Sequence, residues 1–354
     1  MRVGQARTAA ADWIAQYGSD LHGFRGAYIS GSTVPLPPDA ELPATSDLDV
    51  VIVVAAGWAP AAAEGAAPAI PLGKLRHHGA LLDVSTITED RLATPAHVLG
   101  DYRLASSFRV DSVIADPTGR LGWLQAAVAA GFAFRQWVEL RLDHACRVVE
   151  ERIAGVSAPV PFPDLVLRWL FAAGGTVHLP LVAALRNPTV RLRYLATREV
   201  LAGYGLGDRY PELLELLGCA RLSCDRVAEH LDGLTRTFDA AAAVARTPLF
   251  FSSDITPLAR PVAIGGCREL VERGDHREAV FWMVATYARC HTILAVDAPD
   301  LRRELKPEFD AVLADLGIGS AGDLRHHAGQ VRDALPGLRQ LAATILAHNP
   351  EVSG

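Results

Sequence analysis

The chain has 354 residues, half of them hydrophobic and only 21% charged, which is more than one core usually organises and excludes a disordered chain. Its formal charge of -6, from 34 Lys plus Arg against 40 Asp plus Glu, speaks against a surface that tracks nucleic acid, although a local basic cleft stays open. The five cysteines are odd in number and lack Cys-x-x-Cys spacing, so they indicate neither a zinc site nor a disulfide framework and read as small buried hydrophobes.

The N-terminal stretch MRVGQARTAAADWIAQYG has no long apolar run and predicts an amphipathic helix over 5–18. A short strand is expected at Ala27–Ser30, then a long loop, then a strand from Asp47 to Ala55. Residues 57–73, rich in Ala, Gly and Pro, predict an irregular connection with one short helix at Ala61–Ala66. Gly79-ALLDVSTIT reads as a second β-rich run, and Val110–Ala115 as a third that ends in the turn signal Asp116-Pro117-Thr118-Gly119. A helix restarts at 121–130, so the first part of the chain reads as a mixed β-sheet with flanking helices.

Beyond Phe132 the strand signals stop. Helical periodicity runs through 134–154, 163–186, 189–203, 209–218, 223–246, 260–273, 276–296, 300–316 and 321–348. Asp275 and Glu278 are expected to cap the start of the helix at 276. The expected fold class is α+β, with a sheet domain over 1–131 and an all-helical domain over 132–354. The longest apolar stretches are broken by Pro, Gly, Arg or His, so no membrane-spanning helix is predicted, and a soluble, cytoplasmic protein is expected. Oligomeric state is not legible.

The chemistry concentrates at AYISGSTVPLPPDAELPATSDLDVVIVV, residues 27–54. Strands disfavour aspartate, yet Asp47 and Asp49 open the most apolar run of the domain. Side chains at i and i+2 of a strand share a face, with Cα atoms about 6.5 Å apart, so the two carboxylates can reach one cation. Hard oxygen ligands of this kind suit Mg²⁺. Asp83, flanked by Leu82 and Val84, is equally out of place, and three carboxylates converge if its strand pairs beside the first.

The order of these features, Ile29, Gly31-Ser32, a spacer, then Ser46-Asp47-Leu48-Asp49-Val50 and later Leu82-Asp83-Val84, resembles the nucleotidyltransferase superfamily of polymerase-β-like fold. The architecture is similar to the small-molecule, aminoglycoside-type members, which pair a small catalytic domain with a helical acceptor-binding domain. By that resemblance Asp47 and Asp49 hold one Mg²⁺ with a nucleoside triphosphate, ATP in the first instance. Asp83 binds a second ion, takes the acceptor's proton, or both, while Gly31 and Ser32 meet the phosphates. The resemblance implies transfer of an NMP to a hydroxyl of a small-molecule acceptor with release of pyrophosphate. A protein or tRNA end as acceptor is the alternative, and so is nucleotide binding without turnover. The spacer 33–46 holds Pro35, Pro37, Pro38 and Pro43 but no Lys or Arg, so triphosphate contacts would fall to Arg25, Lys74, Arg76, Arg103 or Arg109.

Taken singly, Asp47 reads as a turn residue and Asp49 or Asp83 as a strand carboxylate facing water; only the set is telling. His77-His78 reads as a loop or hairpin pair and His326-His327 as surface residues. Glu139 and Asp143, with Arg135 and Arg147, read as an exposed ion-pair face, and Arg186 to Arg193 as a solvated basic helix start.

Overall fold

The computed structural model describes residues 1–58 and 72–354. The expected short helix at Ala61–Ala66 lies outside them. The chain divides into two compact units. The first comprises Met1–Arg141, Leu185–Pro188 and Glu351–Gly354, and the second Leu142–Ala184 and Thr189–Pro350.

In the first unit, helix α1 (Val3–Trp13) is followed by strand β1 (Phe24–Ser30), β2 (Leu48–Val54), β3 (Gly73–His77) and β4 (Ala80–Thr88), then α2 (Pro95–Gly100), β5 (Val113–Ala115) and α3 (Arg120–Gly131). The strands form a mixed five-stranded sheet in the order β3-β4-β2-β1-β5. Among the described strands, β2 and β4 run parallel and the other pairs antiparallel. β2 reads LDVVIVV because both its faces are covered. Leu48, Val50, Ile52 and Val54 pack with Val3, Ala6 and Trp13 of α1 on one side of the sheet. Val51 and Val53 pack with Leu99 of α2 and with Leu121 and Leu124 of α3 on the other. Strand β3 escaped the sequence reading. It is an edge strand, GKLRH, with one apolar side chain, and charged residues on a sheet edge discourage pairing with other chains. His78 and Gly79, both at positive φ, make the two-residue turn into β4, so the expected hairpin histidine pair is present.

The loop 31–47 is tied to α1. The amides of Val3 and Gly4 donate to the carbonyls of Ala40 and Pro38 at 2.9 and 2.8 Å, which satisfies two donors that the start of a helix leaves without intrahelical partners.

The helical series begins with α4 (Arg135–Gly155), which runs across the division between the units, and continues with α5 (Phe162–Thr176), α6 (His178–Ala183), α7 (Arg193–Gly203), α8 (Tyr210–Leu216) and α9 (Cys224–Val244). Helices α10 (Gly266–Glu272), α11 (His276–Asp297), α12 (Pro299–Asp315) and α13 (Ala321–His348) complete it. Helix α11 is buried over most of its length and is the core of the second unit, with α5, α9, α10 and α12 packed around it. The single helix expected over 163–186 is interrupted at Val177, because Pro180 lacks the amide and clashes with the carbonyl four residues earlier. Asp275 and Glu278 do not cap α11 with their side chains. Both bind the guanidinium of Arg198, each at 2.7 Å, and Glu278 also accepts from the Tyr210 hydroxyl at 2.9 Å. Two stretches, Phe162–Ala183 and His276–Asp297, are long and apolar enough to cross a membrane by length and composition, and 83% and 78% of their windows are buried within the protein.

Candidate functional site

The sheet register builds the site. Ser30 of β1 pairs with Asp49 of β2, Asp49 with Asp83 of β4, and Asp83 with Lys74 of β3. These four residues therefore lie in one row across four adjacent strands. Paired residues in a sheet project to the same side, with neighbouring strands about 4.8 Å apart. The row lies on the α2/α3 side, since Leu48 and Val50 on either side of Asp49 belong to the core under α1. Asp47, two residues before Asp49 and just outside the strand, joins it. The structure thus brings together all three expected aspartates with Lys74, one of the basic residues offered from sequence for the triphosphate, which instead bonds Asp47 and Asp83.

The Lys74 ammonium bonds Asp47 Oδ2 at 2.8 Å and also Asp83 Oδ2. Its side chain is 5% exposed, against 18% for Asp47 and 26% for Asp83. A lysine buried to this degree needs paired carboxylates, and two of them compensate its desolvation.

Gly31 closes the row from below as the first residue of a 3₁₀ turn, Gly31–Thr33. Its φ of 72° is one that L residues avoid, and a Cβ built there would overlap Asp49 Oδ2. The glycine is thus explained by its closeness to a carboxylate, whereas the sequence suggested closeness to a phosphate. Ser32 is exposed on the same turn. The turn is held by Asn187 Nδ2, which donates to Gly31 O at 2.5 Å, and by Arg7 Nη2, which donates to Val34 O at 3.0 Å. The cation missing from the loop sequence therefore arrives from α1. The Ser30 hydroxyl lies 2.9 Å from that of Ser107.

Sequence reasoning missed Ser30, Ser107, Arg7 and Asn187 at this site. Strand parity could have found Ser30, which precedes Gly31 and shares a side with Tyr28. Nothing local distinguishes Ser107, Arg7 or Asn187, because their relevance comes from long-range packing.

The expectation of a magnesium-dependent transferase, with one or two Mg²⁺ ions held by Asp47, Asp49 and Asp83, does not survive. Among the described residues, no group of three or more His, Cys, Asp or Glu side chains is arranged to hold a metal ion. The physical reason is Lys74: its ammonium sits between Asp47 and Asp83, where two of the three ligands would have to converge on a cation. The residues present do not fit the metal.

Other candidates fall to structural roles. Arg193, expected on a solvated helix start, is 2% exposed, donates to Gly174 O and Val190 O, and stacks 3.9 Å over the Phe281 ring. Arg135 and Glu139 do form an exposed i,i+4 pair, at 3.9 Å. His77 has its pKa lowered by burial and by the neighbouring His78. Cys146, Cys219, Cys267 and Cys290 are buried thiols and Cys224 is exposed. A cleft of about 300 Å³ lined by Arg25, Val53, Glu89 and Arg120 lies toward the far end of β2 from Asp49. No protein family, curated protein or solved structure matches the chain.

Proposed function

We propose that this chain is an enzyme of nucleotidyltransferase type, which moves a nucleotidyl group, AMP from ATP in the first instance, to a hydroxyl of a small-molecule acceptor. The observation that carries the reading is the row Ser30–Asp49–Asp83–Lys74 with Asp47 beside it, set against the Gly31 turn. It is supported by the order of those elements along the chain, which resembles the polymerase-β-like fold.

In this reading the acceptor oxygen attacks the α-phosphorus. The new O–P bond forms as the bond to the bridging oxygen breaks, the electron pair leaves with pyrophosphate, and the acceptor's proton passes to Asp49 in the middle of the row. Catalysis is by positioning and by preorganised charge, with Lys74 the fixed positive group. The carboxylates outnumber the ammonium three to one, so an acceptor bearing amines suits the site better than an acidic acceptor.

The test is incubation of the full chain with labelled nucleoside triphosphates and a panel of hydroxylated amines, reading pyrophosphate release. Asp49→Asn, with folding intact, should reduce release by about 100-fold or more, the usual worth of a positioned proton acceptor. Undiminished release in that variant removes Asp49 from the chemistry. One observation favours a second reading: Lys74 already engages Asp47 and Asp83, which suits a protein that binds nucleotide without turning it over. Nucleotide recovered unchanged with every acceptor selects that reading.

A further inference from the structure

Lys74 is one of only two lysines in the chain, the other being Lys306, and nearly all remaining positive charge is carried by arginine. It stands on the edge strand β3 in register with Asp83, its side chain is 5% exposed, and its ammonium bonds Asp47 and Asp83 together. A lysine ammonium is a compact point charge, whereas a guanidinium is a broad planar fork. The compact cation fits between two carboxylates that approach from neighbouring strands.

We propose that Lys74 is a built-in counter-ion: it occupies the position a divalent cation would take between Asp47 and Asp83, so the intact protein binds no divalent cation at the row, and loss of this one ammonium turns the row into a divalent-cation site. The formal charge of Asp47, Asp49, Asp83 and Lys74 together is -2; without the ammonium it is -3, on oxygen ligands of the hard type that Mg²⁺, Ca²⁺ and Mn²⁺ prefer. Asp49 and Asp83 are paired in register across a parallel pair, and Asp47 lies two residues from Asp49, so the backbone keeps the three carboxylates side by side when the lysine is replaced by an uncharged chain of similar length. This inference is independent of nucleotidyl transfer, because it concerns only the charge balance of the row and is read by metal binding alone.

The experiment is calorimetric titration of the full chain with MnCl₂, supported by the electron-spin signal of free Mn²⁺. Wild type and Lys74→Arg should show no saturable binding below about 1 mM, a level that corresponds to weak association. Lys74→Met should bind one Mn²⁺ at least about ten-fold more tightly than wild type, and Lys74→Met/Asp83→Asn should lose the gain. Wild type binding Mn²⁺ as tightly as Lys74→Met overturns the proposal, and so does a folded Lys74→Met that binds no better than wild type. If Lys74→Met is unfolded alone, Mn²⁺ should restore its far-ultraviolet circular dichroism while leaving wild type unchanged. Failure of Mn²⁺ to restore it overturns the proposal equally.

Discussion

Replacing Gly31 by alanine tests the closeness on which the site depends. Two penalties arise together. The first is conformational, because an L residue at the φ of 72° costs about 1–2 kcal/mol. The second is steric: the new Cβ overlaps Asp49 Oδ2, and the carboxylate must leave its rotamer, at about 0.5–1.5 kcal/mol. Gly119 provides the control, with a φ of 74° and no atom within 4 Å of an added Cβ. Gly119→Ala should therefore lose only the conformational part, and Gly31→Ala roughly 0.5–1.5 kcal/mol more. Urea unfolding followed by circular dichroism measures both variants in the same chain. Equal losses, within about 0.5 kcal/mol, would refute the idea that Gly31 is needed to make room for Asp49.

Three further outcomes follow from the second unit. Burial, with Arg302 nearby, pushes the His291 pKa down to about 4. The unfolded chain takes up a proton below about pH 6.5 while the folded one does not, so stability is full above pH 6.5 and falls as the pH drops toward 4, at up to about 1.4 kcal/mol per pH unit. Urea midpoints across that range should flatten in His291→Phe, which keeps a ring beside Phe309. Arg193→Met leaves the carbonyls of Gly174 and Val190 without their guanidinium and should cost about 2–4 kcal/mol, with no rescue by lysine. Arg198→Met strands the buried Glu278 carboxylate and should cost about 3 kcal/mol in the same assay, partly recovered by adding Glu278→Gln.

The α+β layout was legible because its signals are local. The run LDVVIVV, the long apolar stretch of α11 and the turn before α3 each announce themselves locally. The approach of Asp83 to Asp49 could be posed from sequence only as a condition, since it depends on which strands pair. The metal was misread for a related reason. Two aspartates one residue apart advertise a shared cation, but the cation that joins Asp47 to Asp83 is carried on β3, a strand with a single apolar residue and no periodic signal. Arg193 shows the same limit in the helical unit, where a basic cluster read as solvated holds a guanidinium packed under Phe281.

The parallel pairing of β2 with β4 has a consequence for how the sheet finds its alignment. Sliding β4 by one residue would exchange its two sides, turning Asp83 into the apolar layer under α1 and Leu82 and Val84 out of it. A carboxylate among Val3, Trp13 and Ile52 has no partner there, so the misaligned sheet is penalised by the very residue that the aligned one places beside Lys74. Asp83 thereby acts as a gauge for strand alignment as well as a member of the row. Neutralising it should loosen the fidelity of assembly even in a protein that never meets a substrate.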